Sequence, residues 1–206
     1  MTATHAAIVV AGGRSQRFGP AEKATAEVGG EPMLKRVVTA VTPAVDQVVV
    51  NCRSEQQEGF EGVLAEVERP VRFAVDPVPD RGPVYGLRTA LRRTSAETVF
   101  VAACDVPALD PALVDCLFDR LSGAEAVVPA VDGQPLPLCA AYDAAAALDS
   151  CEAAIACGAT RLRDVLARLD VASVDESLVR AHAGSRAALN VNTRADLAAA
   201  DRTLGD

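Results

Sequence analysis

The chain has 206 residues, a formal charge of −8 and half of its residues apolar, enough to bury a sizeable core without disulfide or metal staples. That charge argues against duplex nucleic acid as a partner, since phosphate contacts need a basic surface. No apolar run approaches the roughly 20 residues that span a bilayer. In chain order, Ala6 to Ala11 (AAIVVA) is the first buried strand and ends in Gly12-Gly13. Pro32 to Val41 follows as a helix, and Gln47 to Cys52 (QVVVNC) as the second strand. Val71 to Val75 is a third, weaker strand, and Gly86 to Arg93 a helix with Leu87 and Leu91 four apart. Thr98 to Cys104 is the fourth strand. Asp110-Pro111 opens a helix as N-cap and first helical residue, with Leu113, Leu117 and Leu121 on one stripe. Ala124 to Val131 and Leu138 to Tyr142 are later strands, Arg161 to Leu169 a helix, and Ala187 to Val191 a last short strand. Thr193 caps a final helix to Leu204. Continuous apolar runs mark strands covered on both faces. The alternation predicts one α/β domain over 1–206, Rossmann-like, in three α/β/α layers with a mostly parallel sheet.

Cysteine usage is uninformative about metals. Six cysteines include no C-x-x-C pair, and there are only two histidines, so a zinc site is not expected. With no signal peptide, the cytoplasm is the expected compartment. Lys23 and Lys35 are the only lysines beside many arginines. This composition fits either a high-salt cytoplasm or GC-biased coding. In both cases a retained lysine points to a position that needs a compact charge.

In open parallel sheets, ligands sit beyond the carboxyl ends of the strands. Four predicted strand ends carry chemistry: Ala11 to Gly13, Asn51 to Arg53, Asp76 and Asp105. The first opens V-A-G-G-R-S-Q-R-F-G-P-A-E-K, from Val10 to Lys23. Adjacent glycines allow close backbone approach, their amides form an anion cradle with Arg14 and Arg17 nearby, and Lys23 supplies a point charge. Alone, the segment also reads as a glycine-rich turn with solvated arginines. It is neither a P-loop nor a dinucleotide fingerprint. Asp105 follows a buried strand, where a carboxylate is costly unless a metal or donor meets it, although an Asp there can also be a turn residue. Asp76 heads the Pro/Gly-rich loop D-P-V-P-D-R-G-P-V-Y-G-L, with Asp80 a weaker candidate for the same task.

Together these segments resemble the MobA-like nucleotidyltransferases. Val10, Ala11, Gly12, Gly13, Arg17, Gly19 and Lys23 follow that family's signature, with Glu22 where Asp is usual. The D…G-P-x-x-G loop, C-D-x-P at Cys104 to Pro107 and N-V-N-T at Asn190 to Thr193 follow it too. Val84-Tyr85 stands where Leu-Ala is usual, and Leu136 where Gln or His is. The motifs are most similar to the molybdenum cofactor guanylyltransferase branch.

The resemblance implies attack by an acceptor phosphate on the α-phosphorus of an NTP, with pyrophosphate leaving. Lys23, Arg17 and Asp105 are the implied catalytic residues, with Asp105 holding Mg²⁺. Val10, Ala11, Gly12, Gly13, Asn51 and Asp76 would bind the nucleotide, Arg53 would help to read the base, and Asn190 and Asn192 would bind the acceptor. The implied substrates are GTP and molybdopterin, with transient contacts to cofactor-biosynthesis or acceptor proteins. Guanylyl transfer to adenosylcobinamide phosphate, cytidylyl transfer to molybdopterin or a sugar alcohol phosphate, and a non-catalytic nucleotide-binding domain are the alternatives. For the base, carbonyls between Val10 and Gly13 together with Asn51 are the expected acceptors for the donors of guanine. An acceptor phosphate is already ionised at neutral pH, so no general base is required.

Overall fold

The computed structural model describes residues 4–14, 18, 22–183 and 191–204. In chain order its elements are β1 (His5–Val10), β2 (Glu27–Val28), β3 (Glu31–Pro32), α1 (Met33–Val41), β4 (Gln47–Cys52) and α2 (Ser54–Leu64). There follow β5 (Val71–Val75), α3 (Pro83–Leu91), β6 (Thr98–Ala103), α4 (Pro111–Asp119), β7 (Ala126–Val131), β8 (Gln134–Pro135) and β9 (Cys139–Asp143). The last are α5 (Ala144–Ala156), α6 (Leu162–Leu166), β10 (Val171–Val174), α7 (Glu176–Ala183) and α8 (Arg194–Leu204).

The main sheet runs in the order β10-β7-β9-β6-β1-β4-β5. All neighbours on this path are parallel except those of β9, which lies antiparallel to both β6 and β7. β1 lies inside the sheet next to the central β6, its Val9 registered between Val50 of β4 and Ala102 of β6. The chain winds outward from β1 through β4 and β5, then returns to place β6 on the other side. This is the reversal of strand order at which open α/β sheets form a crevice.

Alternation along β1 feeds two cores. Ala7 and Val9 pack with Leu34, Val37, Phe60, Leu113 and Leu117, which belong to α1, α2 and α4. Ala6 and Ile8 pack with Leu87, Ala90, Ala147, Ala154 and Val165, which belong to α3, α5 and α6. The result is the three-layer α/β/α arrangement expected from the strand composition. A smaller cluster of Phe18, Val28, Met33, Val191 and Ala200 fastens α8 against the β2–β3 hairpin.

The expected caps form. Asp110 accepts from the Ala112 amide at 2.8 Å ahead of α4. Thr193 Oγ1 accepts from the Asp196 amide at 3.2 Å while the Asp196 carboxylate accepts from the Thr193 amide at 2.8 Å, a reciprocal cap on α8. The expected helix Gly86 to Arg93 starts earlier, at Pro83. Gly82 caps it at φ 90°, a left-handed conformation that suits glycine, and a Cβ there would meet the Thr160 carbonyl at 2.9 Å. α2, α5, α7, β10 and the β2–β3 hairpin are additions to the sequence expectation. The expected strand Ala187 to Val191 lies mostly outside the described residues, and Val191 itself carries no strand pairing.

Candidate active site

The carboxyl ends of β1, β4, β5 and β6 open into one cleft of about 980 Å³. Val10, Ala11, Gly12, Gly13, Lys23, Asn51, Asp76, Asp105 and Asn192 all line it, so nine residues singled out from sequence meet in one place. Arg17 and Asn190 lie outside the described residues. The wall is completed by the loop from Val78 to Gly82 and the first turn of α3, by Cys104 and by Leu138.

One side of the cleft is built on an ion pair. Lys23 sits on a short 3-10 turn, Lys23–Thr25, and only 6% of it is exposed. Its Nζ donates to Asp105 Oδ2 at 2.6 Å and to Asn192 Oδ1 at 3.3 Å. The Asp105 carbonyl accepts from the Val191 amide at 3.0 Å, tying the segment ahead of α8 to the end of β6. A buried ammonium is tolerated here because a carboxylate and an amide oxygen meet it. Burial also pushes the adjacent Cys104 thiol up to about 12, so it stays protonated at neutral pH.

The opposite side is built on Asn51, which is 1% exposed at the end of β4. Its Nδ2 donates to the Ala74 carbonyl at 3.0 Å and to Asp76 Oδ1 at 2.9 Å. Two acceptors at the nitrogen fix the orientation of the amide. Asn51 Oδ1 therefore faces Gly12 and Gly86 and is a buried acceptor that receives no donor among the described residues. A Cβ at Gly86 would overlap that oxygen, so glycine there is required by close approach, and one at Gly12 would press on the Asp76 and Asn51 side-chain oxygens at 3.0 and 3.1 Å. Burial raises the Asp76 carboxyl above its ordinary range, opposed by the hydrogen bond from Asn51.

The loop carbonyls expected to accept from the base already accept from the protein. The Val10 carbonyl accepts from the Cys104 amide at 3.3 Å, and the Ala11 carbonyl from Gln56 Nε2 at 3.2 Å. Arg53 Nη1 donates to the carbonyls of Gly12 and Gly13, each at 2.8 Å. Each of the four oxygens already accepts from the protein, whereas Asn51 Oδ1 is the member of the expected set that receives no donor among the described residues. Arg53, expected to help read the base, does not line the cleft. It lies behind the loop, 8% exposed, and also pairs with Glu55 and Glu22.

Gln56 was not anticipated, and Glu22, Arg14 and Tyr85 take parts that their motifs did not specify. Gln56 and Glu22 support the loop with Arg53. Arg14 pairs with Asp80 at 2.7 Å across the mouth of the cleft. Tyr85, in the position where the motif usually has Ala, presents its ring to Arg81 and Arg88, whose guanidinium carbons lie 5.1 and 5.5 Å from its centroid. A hint of the Gln56 role existed in sequence: Gln at the third helical position is a capping residue. Its Oε1 does accept from the Arg53 amide at 2.8 Å.

The chain is 44% identical over 194 residues to a protein of Haloferax mediterranei named probable molybdenum cofactor guanylyltransferase, covering 94% of this chain and 91% of that one. A protein of the same name from Natronomonas pharaonis is 35% identical, with 96% of each chain covered. Among solved structures, molybdopterin-guanine dinucleotide biosynthesis protein A of Archaeoglobus fulgidus superposes with a TM-score of 0.78 at 28% identity, covering 96% of this chain and 97% of that one. No helix among the described residues is long and apolar enough to cross a membrane. The family model described as the MobA-like NTP transferase domain matches residues 7–185, and the chain belongs to that family.

Proposed function

We infer that this chain moves GMP from GTP onto the phosphate of molybdopterin and releases pyrophosphate. The observation that carries the reading is the relative named for this reaction, 44% identical across 94% of the chain. In the transfer, an oxygen of the acceptor phosphate bonds to the α-phosphorus while the bond from that phosphorus to the oxygen bridging to the β-phosphate breaks. The electron pair leaves with pyrophosphate. Positioning and charge stabilisation supply most of the acceleration in such transfers.

Lys23 offers the compact charge for the departing phosphates. The amides of Gly12 and Gly13, which meet no acceptor among the described residues, offer a cradle beside it. Arg17 is assigned a share of that task on its motif alone. Asn51 and Asp76 offer an acceptor and a carboxylate to the base, and Asn192, with Asn190 by motif, faces the acceptor substrate. A divalent ion such as Mg²⁺ fits the donor chemistry. No cluster of three His, Cys, Asp or Glu side chains exists among the described residues. Mg²⁺, however, is commonly held by one or two carboxylates plus substrate phosphates. Asp105 would be its protein ligand, and the ion would neutralise charge on the phosphate oxygens.

Calorimetric titration of GTP, CTP, UTP and ATP with Mg²⁺ tests the base, and mass analysis of the product with molybdopterin tests the acceptor. GTP is expected to bind most tightly and a guanine dinucleotide to form. Equal affinities, or a preference for CTP, would reject the guanylyl reading.

A further inference from the structure

Glu22, Gln56 and Arg53 form a polar brace on the side of the glycine loop away from the cleft. Gln56, 5% exposed, donates from Nε2 to both the Ala11 carbonyl at 3.2 Å and Glu22 Oε2 at 2.8 Å. Arg53 holds the next two carbonyls and reaches the same Glu22 oxygen at 3.4 Å. Arg53 caps α2 and Gln56 lies in its first turn, where Gln56 Oε1 also accepts from the Arg53 amide at 2.8 Å. One helix end thus grips the loop and, through Glu22, the backbone position next to Lys23.

The geometry has a directional result. In a trans peptide the carbonyl and the following amide point in opposite directions. Holding the carbonyls of Ala11, Gly12 and Gly13 toward α2 turns the amides of Gly12, Gly13 and Arg14 the other way. Those residues line the cleft, whereas Arg53 and Gln56 do not. Glu22 meanwhile fixes the start of the turn that carries Lys23. The amide cradle and the ammonium are therefore held at one separation by a shared set of hydrogen bonds.

We propose that Gln56 and Glu22 are positioning residues for polyphosphate binding, acting with Arg53 to aim the loop amides and to set Lys23 beside them. The inference rests on reading the cleft as an NTP site. It makes a prediction opposite to simple charge counting. Removing the Glu22 carboxylate near an anion site should, by Coulomb attraction alone, tighten anion binding. A brace predicts weaker binding.

The test is calorimetric titration of the full chain with inorganic pyrophosphate, comparing wild type, Glu22→Gln, Gln56→Met and the double variant, with thermal melting of each. Each single change is expected to weaken pyrophosphate about tenfold, the scale of one lost hydrogen bond to a charged group. The double variant should bind no more weakly than the worse single, because a cut brace cannot be cut again. Glu22→Gln carries the test if Gln56→Met does not fold, since Glu22 is partly exposed. Unchanged or tighter binding in folded Glu22→Gln would overturn the proposal, even with a lowered melting temperature, as would additive losses in the double variant. A wild type that ignores pyrophosphate overturns it as well. A wild type that binds pyrophosphate but prefers CTP rejects only the guanylyl reading and leaves the brace to be judged on the variants.

Discussion

The Lys23 ammonium lies 2.6 Å from the Asp105 carboxylate, although the two residues are 82 apart in sequence and the lysine is nearly buried. Each therefore meets its counter-charge in the cleft in the other. Asp105→Ala should abolish pyrophosphate release at saturating Mg²⁺ and also lower stability by about 2 kcal/mol, because the ammonium would keep only Asn192 as an acceptor. Asp105→Asn leaves an oxygen for Lys23 and should melt closer to wild type while remaining inactive. The two effects separate in a melting curve read alongside a turnover assay. Activity near wild type in either folded variant would remove Asp105 from the site.

Lys23→Arg should behave as a severe change. The Nζ fits between Asp105 and Asn192, and a planar fork of five donors has no matching acceptors there. Loss of a charge-assisted contact to phosphate corresponds to roughly 10- to 150-fold in kcat/KM. Steady-state kinetics of the variant are the check, and unchanged values would make residue 23 an ordinary buried cation.

Gly86→Ala sets two effects against each other. Ala is favoured over Gly inside a helix by about 1 kcal/mol. The added Cβ, however, overlaps Asn51 Oδ1, and that amide is held from behind by the Ala74 carbonyl and Asp76. Overpacking against a fixed buried group costs about 1–3 kcal/mol, so the clash should win. The expected result is a lower melting temperature and weaker GTP binding by calorimetry. A variant that melts higher and binds GTP normally would show that the Asn51 amide moves freely.

Asp76 supplies a pH dependence. Its folded pKa is raised by burial, so the folded protein holds the proton more tightly than the unfolded chain does. Linkage then makes stability fall as pH rises from the ordinary carboxylate range through the raised value. Asp76→Asn should remove that loss. The variant should melt at or above wild type at neutral pH and differ little in acid, while GTP binds about tenfold more weakly for want of the charged acceptor. Melting profiles across pH, with one titration at neutral pH, decide the matter. A variant less stable at neutral pH than in acid, relative to wild type, contradicts the assigned sign.

The parts of the fold legible in sequence are those with a one-dimensional pattern. β1, β4 and β6 are continuous apolar runs because helices cover both faces, and α4 announces itself through Asp110, Pro111 and its leucine stripe. α2 was not legible: it carries Gly59 and Gly62 and buries only Gln56, Phe60 and Leu64. α5 is alanine-rich on every side, so it shows no stripe. β10 is an edge strand whose Ala172 and Ser173 are exposed. Within the site, strand-end residues could be located because parallel sheets place ligands there. The bonds from Gln56 and Arg53 to the loop and Glu22 cross 31 to 45 residues and join polar groups, and no periodicity reports such contacts.

The attachment of α8 has a consequence for local opening. The helix is held by a small apolar cluster, by the Gly29 amide on Asp201 at 2.7 Å, and by Asn192 on Lys23. These contacts span about 170 residues of chain, yet none belongs to the two main cores. Fluctuations that lift α8 from the hairpin therefore leave the sheet intact and, in the same motion, strip Asn192 from Lys23. Undocking of the helix and partial dismantling of the site are one equilibrium. A ligand that binds only the docked state must slow amide hydrogen exchange throughout α8, by about 2.7 kcal/mol of added protection at a hundredfold excess over Kd.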